Sequence, residues 1–164
     1  MTSLWSRLDD AYLAAFIVAM GEGSSYADLK IITAEIAPAW NPARHPLPAL
    51  ILVSDEGTGE HNGHTGAAAI RVAETINYYA VAVAEAASYR TAKTVAQELH
   101  RRLRSVLATW PNILAAAAAA GSTGEAPIRQ KWNRHWIEVR GGQAGDHGKH
   151  YGIAVIAWTV EITA

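Results

Sequence analysis

Of the residue types able to do chemistry, histidine comes closest to forming a pattern in this chain. Four of its seven histidines fall in two His-x-x-His pairs, His61 with His64 and His147 with His150. Neutral imidazoles are good zinc or nickel ligands, and two such pairs at one end of a sheet would supply a full set. Both pairs, however, lie among glycines, His61 and His64 within 56–66, His147 within 141–149 and His150 directly after it, so no regular element is expected to hold the rings. The expectation is solvated loop histidines and no bound metal.

Other chemical signatures fail on inspection. Gly148-Lys149 invites a phosphate-loop reading, but Gln143 stands where the first glycine belongs and His150 where Ser or Thr belongs, and a strand pattern follows instead of a helix. Gly57-Thr58-Gly59 is too short to be a dinucleotide fingerprint. The serine-elbow, zinc-helix and calcium-loop patterns are absent from the sequence. Asp9 with Asp10, and Asp55 with Glu56, are adjacent acids that point in different directions on any regular backbone, so neither pair is a ready dyad. We therefore expect no catalytic residues, no cofactor and no enzymatic activity.

Two clusters suggest contacts. His100-Arg101-Arg102-Arg104 lies on the last turns of a long helical pattern. It complements the negative end of the helix dipole, with Glu98 and Arg102 as an i,i+4 pair, or else it faces nucleic acid or an acidic partner. Trp132 and Trp136, with Arg134 between them, are expected to share one strand face. Unless the chain's own helix covers that face, this is the composition of an interface hot spot.

The elements that must position these residues follow from periodicity. Ser3 caps a first helix over 3–20, with Leu4, Leu8, Tyr12, Ala15 and Phe16 on one stripe, and Gly21-Glu22-Gly23 ends it. In 24–48 a strand around Leu29 to Ile32 and a short helix are both compatible with the pattern, and four prolines then force an irregular passage. Ala49 to Val53 reads as a buried strand and 56–66 as a flexible polar loop. A strand over 67–76, a turn at Asn77 and a second strand over 78–85 follow. In the latter, valines and alanines alternate, and the alanine face lets a helix approach closely. Ser88 caps that helix, which carries Val95, Leu99, Leu103, Val106 and Leu107 down to Trp110-Pro111. A short alanine-rich helix over 113–120, a strand over 132–140, the glycine loop 141–149 and a strand over 151–162 complete the chain.

Together these predict one α+β domain over 1–164, with two main helices packed on a mixed or antiparallel sheet of about four to five strands. Ala154, Ile156, Trp158, Val160 and Ile162 share one face of the last strand, while Tyr151, Ile153 and Val155 begin the other. That sheet is expected to be covered fully on one side and partly on the other. At 164 residues, half of them hydrophobic, the chain is long enough to bury a core and too apolar to be disordered. Fifteen acids against fourteen Lys+Arg give no global field for nucleic acid or membrane, and zero cysteines exclude disulfides and thiolate chemistry. The longest apolar runs are too short to span a bilayer as helices, so the protein is expected to be soluble, made in a cytoplasm and without membrane partners.

The order of these features resembles the tail terminator (tail completion) proteins of tailed bacteriophages, over roughly 48–162. A helix, a proline-rich passage and an apolar strand are followed by a glycine-rich polar loop. Tyr79-Ala80-Val81-Ala82-Val83-Ala84-Glu85 then leads into an alanine- and arginine-rich helix ending near Trp110, and a closing strand runs from Tyr151 to Ile162. The resemblance implies a structural virion subunit at the tail–neck junction. It would form a homo-oligomeric, most often hexameric, ring that caps the tail tube protein and offers a surface to a neck or connector protein. DNA would pass through the lumen without sequence readout. The expected assembly interface comprises Gly57, Glu60, His61 and His64 of the first loop, Asp146 and His147 of the second, and Arg101, Arg104, Trp132, Arg134 and Trp136. The loops 56–66 and 141–149 would be flexible until assembled. Alternatives are another head–tail connector or neck subunit, or a small cytoplasmic ligand-binding domain or enzyme.

Overall fold

The computed structural model describes residues 3–20, 34–36, 47–55, 73–121, 126–141 and 148–163. Over these the elements run α1 (Leu4–Met20), β1 (Ala34–Ile36), β2 (Ala49–Asp55), β3 (Ala73–Ala86), α2 (Tyr89–Leu107), α3 (Trp110–Ala119), β4 (Ala126–Gly141) and β5 (His150–Thr163). The strands form one sheet in the order β1-β2-β3-β5-β4, with β1 parallel to β2 and every other pair antiparallel. The fold is α+β with a mixed sheet, as the element pattern predicts.

The alternation in 78–86 sorts β3 as expected. Ala80, Ala82 and Ala84 join the core under the helices, while Val81 and Val83 belong to an apolar cluster on the other face. One expectation is overturned here. Asn77 makes no turn, and β3 runs unbroken from Ala73, because Asn77 is paired on one side with Asp55 and on the other with Thr159. A residue laddered on both sides has its backbone groups satisfied in the extended state, which outweighs asparagine's local turn preference. Residues 67–72 lie outside the described residues, as do 21–33. In the ambiguous stretch before the prolines, the described strand is Ala34–Ile36.

Both long helices start as the sequence indicates. The Ser3 hydroxyl accepts from the Ser6 amide at 3.2 Å, and the Ser88 hydroxyl from the Thr91 amide at 3.2 Å. From α1, Leu4, Leu8, Tyr12, Phe16 and Met20 are buried; from α2, Leu99, Leu103, Val106 and Leu107. A third helix begins at Trp110 with Pro111 in its first turn, where the missing amide proton costs no helical bond.

One member of the basic cluster on α2 leaves the surface. Arg102 is 8% exposed and donates through Nη1 to the Ala19 carbonyl at 3.0 Å, in the last turn of α1. Arg7 does the same for α3, donating to the Ala117 carbonyl at 3.2 Å. Each buried guanidinium thus supplies donors to carbonyls that a helix end leaves without an intrahelical partner, and its charge opposes the helix dipole.

The tightest helix–sheet approach is on β5. A Cβ built on Gly152 would lie 2.4 Å from the Ala92 carbonyl oxygen and 2.9 Å from the Ala96 nitrogen. The alanines of β3 are therefore only part of what lets α2 sit down; Ala92, Ala96 and Gly152 set the spacing. Gly152→Ala should cost about 1–3 kcal/mol through overpacking alone, since the methyl meets helix backbone and not a flexible side chain. A urea melt of this variant matching wild type would show that α2 lifts without penalty.

Candidate interface on the open face of the sheet

Helices α1, α2 and α3 pack on one face of the sheet, and the ladder register defines what the other face carries. Directly paired residues point the same way, so rows can be read across the strands. One row is Ile51, Val81, Val155 and Trp136; the next is Val53, Tyr79, Ala157 and Arg134. On the far side of the first lies Ala49, Val83, Ile153 and Glu138. The centre of this second face is thus aliphatic and largely buried, through Ala49, Ile51, Val83, Ile153 and Val155, and its margin on β4 is charged. A groove of about 670 Å3 runs along it, with Tyr79, Val81, Ile153 and Val155 as floor, Val53 to Asp55 on one wall, and Trp136, Glu138 and Arg140 on the other.

The expected Trp132/Trp136 pair is not on one face. Trp132 pairs with Trp158 but Arg134 pairs with Ala157, so Asn133 is an extra residue in β4. A bulge shifts the two-residue alternation by one and sends the side chains before and after it to opposite faces. Trp132 therefore lies on the helix side of the strand, where it is 42% exposed, whereas Arg134 and Trp136 share the opposite face and only Trp136 lines the groove. The Arg134 guanidinium lies over the Trp136 ring at 4.9 Å, within cation–π reach. The indole Nε1 donates to Glu138 Oε1 at 3.2 Å, and Glu138 pairs with Arg140 at 2.9 Å. Farther along β4, Arg129 meets Glu161 at 2.6 Å and Lys131 meets the same carboxylate. Hydrogen bonds from these two cations hold Glu161 below the usual carboxylate range.

Arg101 and Arg104 are exposed on α2. Arg101 grips Glu98 through Nη2 at 2.7 Å and Nε at 3.1 Å, so Glu98 belongs chiefly to Arg101; its expected partner Arg102 stands 3.7 Å away. Gly57, Glu60, His61, His64, Asp146 and His147 lie outside the described residues. His150 opens β5, paired with Gly141 of β4, so both belong to strands and not to the expected loop. Among the described residues no group of three or more His, Asp or Glu is placed to hold a metal, and no helix is long and apolar enough to cross a membrane.

Two polar constellations were not legible in the sequence. Asp9 accepts from the Tyr78 hydroxyl at 2.8 Å and from Ser54 at 3.3 Å. Burial raises the Asp9 carboxyl, and it raises the Tyr78 hydroxyl still more, reinforced by the Asp9 charge. A tyrosine so disposed stays protonated and donates, which makes the trio a tie between α1 and the sheet. Tyr12 extends the polar chain on the other side, donating to Gln130 at 2.7 Å, while Gln130 donates to the Leu107 carbonyl at 3.2 Å. The second constellation joins α2 to β4: His100 Nε2 and His135 Nδ1 are 2.9 Å apart. The two residues are 35 positions apart in the chain, and only the bulge at Asn133 turns His135 toward the helix. No protein-family model matches this sequence, and no curated protein matches it either.

Desolvation, then the neighbouring His135 and Arg104, lowers the His100 pKa. A base with a depressed folded pKa binds fewer protons folded than unfolded, so its contribution is full above the unfolded value of about 6.5 and is lost as the pH falls through the lower folded value. Chemical melts of wild type and His100→Gln from about pH 7.5 to about pH 5 should therefore diverge, wild type losing stability faster on acidification. Parallel curves would show that the imidazole pair does not couple to folding.

Proposed function

We propose that this chain is a structural, ring-forming virion subunit of the tail terminator kind, capping the tail tube and joining it to the neck. The observation that carries the reading is the edge strand β4. It is 16 residues long, ends the sheet, has no strand beyond it among the described residues, and is exposed over most of its middle. Soluble proteins keep such edges short or covered, because an open row of amide and carbonyl groups templates pairing with another chain. An assembling subunit has a use for one. The groove beside β4, with an aliphatic floor, Tyr79 and Trp136 as aromatic anchors and a charged rim, has the make-up of a contact surface. On this reading the partners are further copies of the chain in a ring, most often hexameric, the tail tube protein and a neck or connector protein, with DNA passing through the lumen unread.

The same groove favours a second reading, a small ligand-binding domain, since its aliphatic floor ends in a few convergent polar groups. Negative-stain images and light scattering of the purified protein separate the two. Rings of several copies are expected; small featureless particles with a monomer mass at every concentration would sink the ring assignment.

A further inference from the structure

The charges of this nearly neutral chain are sorted by position in the fold. Helix α2 and strand β4 carry nine of the fourteen Lys+Arg and two of the fifteen Asp+Glu. Among the described residues, those up to Ala86 hold one Lys+Arg against six Asp+Glu, and those from Ala87 on hold ten against three. The sheet order turns this division into geometry. Strands β1, β2 and β3 make up one side of the sheet and β5 and β4 the other. The part of α1 that carries Asp9 and Asp10 is tied to the first side through Asp9 to Ser54 and Tyr78, while Tyr12 reaches across to Gln130 of β4; α2 is tied to the second side through His100 to His135. One edge of the protein is accordingly basic and the opposite one acidic.

Neither edge is closed among the described residues. β4 is unpaired along its outer side, and β1 covers only Leu50 to Leu52 of β2, leaving Val53 to the exposed Asp55 free on that side. We propose that copies of this chain associate head to tail, the basic α2/β4 edge of one against the acidic α1/β2 edge of the next. This inference rests on the ring reading above and names its contact. An isologous dimer through β4 would bring Arg129, Lys131, Arg134 and Arg140 of both copies together, and like charges across a strand pair are unfavourable. Two different complementary surfaces give a heterologous contact, which closes into a ring or extends as a filament. A nucleic acid is the less fitting occupant of the basic edge. Glu161 already engages Arg129 and Lys131, and Glu138 engages Arg140, so much of that charge on β4 is committed within the sheet.

Two double variants test the contact. Arg104→Glu with Arg134→Glu reverses the basic edge, and Asp10→Lys with Asp55→Lys reverses the acidic one. All four side chains are exposed and in no ion pair among the described residues, so circular dichroism and melting temperature should hold. By sedimentation, wild type should form oligomers that dissociate as salt is raised, because exposed charges are screened beyond about 10 Å at 0.1 M ionic strength. Each double variant alone should associate roughly tenfold or more weakly than wild type. An equimolar mixture should regain wild-type oligomers containing both chains, since each reversed edge then finds its complement. If wild type forms rings that neither variant nor salt disturbs, the charge contact is wrong while the ring reading stands. A wild type that is monomeric throughout overturns both. A monomer that instead retains a labelled single-stranded oligonucleotide, and releases it in the basic-edge variant, overturns the contact in favour of polyanion binding.

Discussion

The Trp158 indole is the group around which the rest of the structure is arranged. It stacks on Tyr78 of the neighbouring strand at 5.3 Å and nearly parallel, and Tyr12 and Phe16 of α1 close over it at 5.2 and 6.2 Å. Aromatic side chains bury more apolar area than any others and prefer offset or tilted contacts of this kind. Because Tyr12 and Tyr78 also carry hydroxyls, their burial demands partners, and those partners fix the neighbours in turn: Asp9 for Tyr78, Gln130 for Tyr12, and the end of α2 for Gln130. One apolar stack thus ties together α1, β3, β5, β4 and α2.

Placing that cluster on one face has a consequence for the other. All three helices are engaged on the Trp158 side, yet Ala49, Ile51, Val83, Ile153 and Val155 of the opposite face are buried as well, with Leu47, Val81, Trp136 and Tyr151 packed against them. Trp136 forms the wall of the groove at the β4 margin, and beyond it Glu138 and Arg140 are paired with each other. What this face leaves at the surface is the half-exposed Tyr79 ring and the charged margin of β4.

The arginines show how the same chemistry serves two ends. Arg7 and Arg102 are buried at the C-terminal ends of α3 and α1, where a guanidinium satisfies carbonyls that no backbone amide reaches. Arg101 and Arg104, close neighbours of Arg102 in sequence, remain on the surface. Helical geometry separates them: one residue turns the side chain by about 100°, enough to pass from the packed stripe to solvent. A run of basic residues in the sequence therefore became one structural tie and two surface charges.

The sequence by itself determined the element types and most of the faces. Serine caps, valine–alanine alternation in β3, the apolar parity of β5 and the stripes of α1 and α2 are local signals, and residues within one element need no partner to declare them. It failed where a partner decides. Asn77 stays extended because two strands hold it, and Trp132 parts from Trp136 because a one-residue bulge against β5 inverts the alternation. Only the tertiary structure brought His135 to His100, Tyr78 to Asp9 and Arg102 to the end of α1. In the same way, the segregation of charge needed the strand order before it became two edges. Those pairings join positions far apart in the chain, and spacing within a sequence carries no information about which distant residues the packing of a core will bring into contact.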